Sequence, residues 1–169
     1  VSDLAYGALG YQGYENPSFL ATPGAKDVGI EFYTFSKTFN MAGWRLAFAG
    51  GNAEMIEALN LIQDHLFVGI FPALQEAGIA ALLDPKSEEA VAQLNAVYDS
   101  RRDAFVQAAA KIGWKAFPSK GSFYAWMPVP EGYTSESFAD LLLEKAHVAV
   151  APGKGFGPAG NAYVRIGLL

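Results

Sequence analysis

An apolar run from Ile30 to Phe35 ends directly in Ser36 and Lys37. A short apolar run that stops at polar residues predicts a buried strand, and this strand would deliver Lys37 at its carboxyl end. Open α/β sheets bind ligands at the carboxyl ends of their strands. The run therefore favours an α/β fold with Lys37 at a ligand-binding edge, although a lysine that stood alone after a strand would more simply be a surface residue.

Lys37 is accompanied by a second cation, because Gly43-Trp44-Arg45 follows after a turn of small residues. A serine-lysine pair followed by Gly-Trp-Arg resembles the signature of the pyridoxal-phosphate-dependent aminotransferases of fold type I, class I and II. The resemblance implies that Lys37 holds pyridoxal 5'-phosphate as a Schiff base and then moves the α-proton of the substrate. It also implies that Arg45 binds the phosphate together with the hydroxyls of Thr34 and Ser36, which suits a planar guanidinium fork.

An acid and a phenol, Asp3 and Tyr6, stand three residues apart at the end of another apparent strand. Taken alone, Asp3 would be a solvated loop carboxylate and Tyr6 a partly buried aromatic residue. The aminotransferase family carries an Asp-x-x-Tyr of this kind. The resemblance implies that Asp3 keeps the pyridine nitrogen of the cofactor protonated and that Tyr6 bonds its phenolic oxygen.

Residues 162–169 alternate as a strand, with Val164, Ile166 and Leu168 on one face and Arg165 on the other. Burying an unpaired guanidinium costs on the order of several kcal/mol, so Arg165 should meet a carboxylate. That carboxylate belongs either to the protein, in a structural salt bridge, or to a ligand. The family resemblance implies the ligand, namely the α-carboxylate of an amino-acid substrate.

The resemblance covers essentially the whole chain. Two loop sequences, Pro17 to Val28 and Pro152 to Gly157, look most like the branch that contains the LL-diaminopimelate aminotransferases. A complete enzyme of this class is much longer, and its first half supplies further cofactor contacts. We therefore expect the chain to be truncated at both ends and inactive by itself.

Two domains are predicted on this basis. Residues 1–84 would be the end of the cofactor-binding large domain, and residues 85–169 a small α/β C-terminal domain that begins with a long interdomain helix. Apolar periodicity and cap residues predict the remaining elements: a helix capped by Asn52, a helix from Pro72 to just before Asp84, the long helix ending at Gly113, a helix from Ser135 to His147, and two strands joined by a turn between Trp114 and Pro130. Glu88, Glu89, Arg101 and Arg102 are expected on solvated helix faces.

Composition excludes several classes of function. The net charge is −5 and no basic run is present, which argues against nucleic-acid or anionic-membrane binding. The absence of cysteine removes disulfides and thiolate chemistry, and it is compatible with the cytoplasmic location that we predict. No signal peptide or membrane span is visible.

Two further signals carry no function. His65 and His147 are far apart with no ligand pattern near either, so no metal site is predicted. Residues 155–160 match G-x-G-x-x-G, but the segment contains Pro158 and leads into a strand instead of opening a helix. It is interpreted as a loop.

These patterns predict an aminotransferase that moves the amino group of an α-amino acid to a 2-oxo acid by a ping-pong mechanism. The resemblance also implies a homodimer. Two alternatives stay open. One is a carbon–sulfur lyase, since fold and cofactor do not determine which bond is cleaved. The other is the aminotransferase-like sensor domain of a transcription regulator, which a DNA-binding segment elsewhere in the protein would reveal.

Overall fold

The computed structural model describes residues 1–169, which divide into two compact units, Val1–Asn95 and Ala96–Leu169. Each unit contains a three-stranded sheet with helices, so the predicted α/β class is confirmed. The division falls inside the long helix, whereas the predicted domains, 1–84 and 85–169, assign that helix wholly to the second part. The domain assignment therefore stays a prediction.

The sheet of the first unit has the order β1-β2-β3. Strand β1 (Ser2–Asp3) runs parallel to β2 (Ile30–Thr34), and β3 (Ala47–Gly51) runs antiparallel to β2. The aromatic and β-branched residues of β2 have the side chains that pack well on a pleated surface. The strand predicted from the apolar run is confirmed, and it ends at Thr34 because the next residues turn into a short helix.

Four helices and the first part of a fifth complete the first unit. They are α1 (Ala25–Val28), α2 (Phe35–Thr38), α3 (Ala53–Leu66), α4 (Pro72–Leu83) and the first part of α5 (Ser87–Lys111). Helix α3 is capped by Asn52, whose Oδ1 accepts a hydrogen bond from the Met55 N–H at 3.0 Å, as predicted. Helix α4 begins with Pro72, at a position where the missing N–H leaves no helical hydrogen bond unmade. None of the helices combines the length and hydropathy needed to span a bilayer.

The sheet of the second unit has the order β4-β6-β5, and both pairings are antiparallel. Its strands are β4 (Tyr124–Pro128), β5 (Ala151–Pro152) and β6 (Tyr163–Gly167), and its further helix is α6 (Ser135–Ala146). Val164 is fully buried in the core, with Ile166 and Leu168 packed against the same cluster. The alternation predicted for this strand is confirmed, and Arg165 lies on its other face.

The prediction of two strands between Trp114 and Pro130 is wrong, because only β4 forms. The residues that precede it form no second strand, and Gly121 makes only an isolated β-bridge. Pro118 lacks a backbone donor for a ladder, and Trp114 satisfies its indole N–H on the carbonyl of Pro128 at 2.7 Å. The segment therefore makes only single backbone hydrogen bonds, such as that from the Leu168 N–H to the Phe123 carbonyl at 2.8 Å, and no second ladder.

Arg102 was expected on a solvated face of α5, and this prediction is also wrong. Its side chain is buried, and its guanidinium forms ion pairs with Asp99 and with Asp103. It also donates to the carbonyl of Ser119 at 3.2 Å. A buried arginine needs such neighbours, because its charge is costly to remove from water without a partner.

A buried carboxylate, that of Glu31, joins β2 to two other segments of the first unit. Only 6% of Glu31 is exposed. Its oxygens accept hydrogen bonds from the Ser18 hydroxyl at 2.6 Å, the Phe19 N–H at 2.7 Å and the Ser2 hydroxyl at 2.9 Å. Burial by itself would raise the pKa of Glu31, but these three donors outweigh it and the pKa is lowered.

Replacing Glu31 by glutamine is expected to lower the free energy of unfolding by about 1–3 kcal/mol at pH 7, because a neutral amide accepts these hydrogen bonds less strongly. Because the pKa of Glu31 is lowered in the folded state, its ionised carboxylate stabilises the fold at pH values above its ordinary pKa of 4.5. That stabilisation is lost as the pH falls through the lowered pKa. Urea unfolding of the parent and the Glu31→Gln variant should show a smaller difference in the free energy of unfolding in acid than at pH 7. Glu57→Gln, at an exposed glutamate, serves as the control. A difference in the free energy of unfolding between the parent and Glu31→Gln that does not change with pH would contradict the stabilising role of the Glu31 carboxylate.

Candidate active site

The predicted cofactor residues of the first unit converge on one edge of its sheet. Strands β1 and β2 are parallel, with Asp3 opposite Phe32 in the register. The Leu4 N–H continues this pairing by donating to the carbonyl of Phe32 at 2.9 Å. Asp3 and Thr34 end their strands at the same side of the sheet, the side at which α/β sheets bind ligands.

Helix α2 begins at this edge and carries Lys37. Thr34 is its N-cap, with Oγ1 accepting from the Ser36 N–H at 3.2 Å, and the two hydroxyls are hydrogen-bonded at 3.0 Å. One helical turn then sets Lys37 beside Tyr6, with 6.0 Å between Nζ and the ring centroid. The structure thus brings together Thr34, Ser36, Lys37 and Tyr6.

Arg45 belongs to the segment that returns beside this edge. It has a left-handed backbone, with φ 54° and ψ 42°, after a 3-10 turn over Ala42–Trp44. Its Nη1 donates to the carbonyl of Ala42 at 3.0 Å, and the residue is exposed. The next residue, Leu46, accepts from the Phe35 N–H at 3.1 Å, so backbone pairing ties the arginine segment to the start of α2. A left-handed conformation is uncommon for arginine and is a feature often retained at functional sites.

This donor set fits pyridoxal 5'-phosphate chemically. Arg45 and the Thr34 and Ser36 hydroxyls are donors for a phosphate dianion, and Lys37 offers a primary amine for an aldehyde. Asp3 is exposed, and its carboxylate has no hydrogen bond or ion pair within the chain, so it can face a protonated ring nitrogen. No group of three or more histidine, cysteine or acidic residues is arranged to hold a metal ion.

Arg165 lies in the second unit, on the central strand β6, opposite Trp126 of β4 and Ala151 of β5. It is half-buried and forms no ion pair or hydrogen bond with the protein. Two aromatic rings contact its guanidinium instead. The carbon Cζ lies 4.1 Å from the Tyr124 ring centroid and 4.2 Å from that of Phe156. The salt bridge that was left open as an alternative is not formed in this chain, which favours a carboxylate supplied by a ligand.

Sequence reasoning missed Phe156. The residue lies in a 3-10 turn, Gly153–Phe156, within a segment that the sequence marks only as a loop. No local pattern signals that its ring reaches a strand residue nine positions later.

Comparison with known proteins identifies the family. The chain matches the model of "Aminotransferase class I and II" over residues 1–168. L-glutamine–4-(methylsulfanyl)-2-oxobutanoate aminotransferase of Bacillus subtilis (strain 168) is 61% identical over 169 residues, which are 100% of this chain and 42% of that protein. LL-diaminopimelate aminotransferase of Moorella thermoacetica is 51% identical over 166 residues, which are 98% of this chain and 42% of that protein. The predicted likeness to the LL-diaminopimelate branch is therefore confirmed.

A solved structure agrees with these relatives. Substrate-bound BacF of Bacillus subtilis superposes with a TM-score of 0.93 at 48% identity, covering 98% of this chain and 42% of that one. The chain thus spans about 42% of the length of the curated relatives that it matches. These relatives are named aminotransferases, so neither the lyase nor the regulator alternative is favoured, and the family cofactor is pyridoxal 5'-phosphate, as expected. The chain belongs to the class I and II aminotransferases.

Proposed function

We propose that the protein containing this chain transfers the amino group of an α-amino acid to a 2-oxo acid with the help of pyridoxal 5'-phosphate. The observation that carries the proposal is the assembly of Lys37 with Tyr6 and the Thr34–Ser36 hydroxyl pair at one sheet edge. The reaction is ping-pong, because the amino group is held by the enzyme between the departure of the first product and the arrival of the second substrate.

Each residue of this edge has one role in the proposal. Arg45 and the hydroxyls of Thr34 and Ser36 bind the phosphate and so hold the cofactor in register with Lys37. The amine of Lys37 would take the α-proton of the amino acid and deliver it to the carbon of the cofactor that carried the aldehyde. Tyr6 donates to the phenolic oxygen of the ring. When bound, pyridoxal 5'-phosphate supplies an electron sink for the carbon that loses the proton.

Two charged residues complete the set of roles. The Asp3 carboxylate holds a proton on the pyridine nitrogen, because an anion next to this nitrogen favours its charged form. Arg165 binds the α-carboxylate that every amino acid and every 2-oxo acid brings. Its planar fork accommodates both carboxylate oxygens at once.

The substrate pair proposed first is L-glutamine with 4-(methylsulfanyl)-2-oxobutanoate, the pair named for the relative that is 61% identical. A cluster of aromatic rings beside Arg165 supports this choice. Trp126 lies 5.7 Å from Phe156 and 5.5 Å from Tyr163 between ring centroids. A thioether makes favourable contacts with aromatic rings at about 5 Å, so such a cluster suits a methylsulfanyl side chain.

A substrate panel tests the proposal. The complete protein is incubated with single amino acids and either 2-oxoglutarate or 4-(methylsulfanyl)-2-oxobutanoate, and the keto acids formed are measured by mass spectrometry. We expect keto acid from glutamine and methionine formed from the methylsulfanyl acceptor. Formation of a thiol and ammonia from a sulfur amino acid, without amino transfer, would support the lyase instead.

We also propose that the complete protein is a homodimer. Large apolar side chains at the α3–α4 junction are open to solvent: Leu66 is 70% exposed, Phe67 70%, Val68 88% and Phe71 68%. An apolar surface of this kind marks a protein interface more often than free surface. Sedimentation of the complete protein tests this point, and a monomer at micromolar concentration would contradict it.

Asp3→Asn in the complete protein is expected to retain the cofactor but lower kcat by about 10- to 1,000-fold. The reason is that a neighbouring anion raises the pKa of the group it pairs with by about 1–3 units, and the amide removes that effect. The measurements are kcat at saturating substrate and cofactor absorbance. The exposed carboxylate of Asp27 offers the control variant Asp27→Asn, which should match the parent. Unchanged turnover in Asp3→Asn would show that Asp3 does not face the ring nitrogen.

A further inference from the structure

The guanidinium of Arg165 is contacted by two aromatic rings and by no hydrogen-bond acceptor of this chain. The Tyr124 and Phe156 ring centroids lie 4.1 and 4.2 Å from Cζ. We call Tyr124 and Phe156 the aromatic clamp. No protein oxygen accepts from the N–H groups of Arg165, so these donors stay available for a carboxylate.

Tyr124 reaches Arg165 through the sheet. Strand β4 pairs with β6 so that Trp126 is opposite Arg165, and Tyr124 is two residues earlier on the same face of β4. Diagonal neighbours of this kind are within reach of an aromatic side chain. The position of this ring therefore follows from strand register.

Phe156 reaches Arg165 through a turn whose backbone is tightly held. Gly153 and Gly160 pack backbone to backbone, and a Cβ on either would clash with the carbonyl of the other. The buried Ser135 hydroxyl accepts from the Lys154 N–H at 3.3 Å and donates to the Asn161 side chain at 3.3 Å. The turn is thus fixed both to the start of α6 and to the segment that leads into β6.

This anchoring explains an otherwise unusual exposed residue. Phe156 is 53% exposed, yet its ring stays against Arg165 and meets the edge of Trp126. An aromatic face attracts a cation without using any of its N–H donors. The two ring contacts restrict rotation of the long side chain, and its N–H groups remain available to a ligand.

We propose that Phe156 is a positioning residue that holds the Arg165 guanidinium ready for the substrate carboxylate. The inference rests on the proposed function, because it takes the ligand of Arg165 to be that carboxylate. A preorganised arginine loses less conformational freedom on binding, so the clamp strengthens binding of the amino acid and of the 2-oxo acid alike. Its contact is with the carboxylate-binding arginine, so the clamp should leave the chemical step unaltered.

The test is Phe156→Leu in the complete, cofactor-loaded protein, with Phe156→Tyr as the conservative variant. Loss of one cation–π contact is expected to raise KM for both substrates by about 2- to 30-fold while kcat changes less than about twofold. Phe156→Tyr keeps an aromatic face and should restore KM. Phe117→Leu is the matched control, since Phe117 is 56% exposed in the same unit and its ring lies over Lys115. Its KM values should equal those of the parent.

Two outcomes would overturn the proposal. One is a Phe156→Leu variant with both KM values unchanged, and the other is a fall in kcat with KM unchanged. Crystal structures of the parent and the Phe156→Leu protein provide a readout that does not depend on turnover, because Arg165 should occupy one rotamer in the parent and more than one in the variant. If the parent transfers no amino group, the proposed function fails. The crystal structures then decide the clamp, and a single, unchanged Arg165 rotamer in the variant would refute it.

Discussion

Lys37→Ala in the complete protein is expected to reduce kcat by about 10²- to 10⁴-fold, the range that a positioned general acid or base contributes. The amine of Lys37 is the only proton carrier that we assign at the strand edge. Lys37→Arg is expected to be equally impaired, since a guanidinium keeps the positive charge but does not release its proton at neutral pH. Charge alone therefore cannot rescue the variant.

The measurement combines turnover with chemical mapping. Borohydride reduction of the parent should attach the cofactor permanently to one lysine, and mass spectrometry of the peptides should find it on Lys37. Lys26→Ala is the control, because Lys26 is an exposed lysine of α1 in the same unit. Recovery of the reduced cofactor on Lys26 or Lys154 would overturn the central assignment.

Arg165→Ala should raise KM for the amino acid by about 30- to 5,000-fold, because truncating one partner of a desolvated charge pair costs about 2–5 kcal/mol. The effect should exceed that of Phe156→Leu, since alanine removes the carboxylate-binding group itself and not only its support. Arg165→Lys keeps the charge, but it lacks the two-pronged geometry and the flat faces that meet the Tyr124 and Phe156 rings. It should fall between the parent and alanine.

The measurements are kcat/KM and the cofactor absorbance of each variant. Arg101→Ala is a suitable control, because Arg101 is an exposed arginine of the same unit that also lies near a ring, 5.7 Å from Tyr98. Loss of cofactor from Arg165→Ala, with unaltered amino-acid affinity in the loaded fraction, would show that Arg165 has a structural role.

Several elements could be predicted from the sequence because their causes lie within a few neighbouring residues. The cap at Asn52, the proline start of α4 and the alternation around Val164 each depend on local hydrogen bonds or local periodicity. The strand that ends before Lys37 belongs to the same group. The motif around Lys37 indicated the family, because the residues to which we assign the phosphate and the aldehyde are close together in the chain.

Tertiary structure decided the features that depend on partners far away in the sequence. Arg102 has Asp99 and Asp103 as near neighbours on its own helix, as a solvated helix residue could, and only the fold buries its side chain and brings the Ser119 carbonyl to it. The segment after Trp114 contains apolar residues but has no strand to pair with. The periodicity of apolar residues indicates which side chains become buried. Strand pairing also requires a neighbouring strand, and the local sequence does not specify that neighbour.

The surroundings of Arg165 show the same division. The sequence alone determined that this arginine lies on the face of a strand opposite the core and needs a carboxylate. Only the folded chain decided that none of its own carboxylates pairs with Arg165, and that Tyr124 and Phe156 contact the guanidinium instead. Strand register places one ring, and the close packing of Gly153 against Gly160 places the other. The first contact joins strands that are far apart in the sequence, and the second is a turn closed by backbone packing, so the energies of both appear only once the chain has folded.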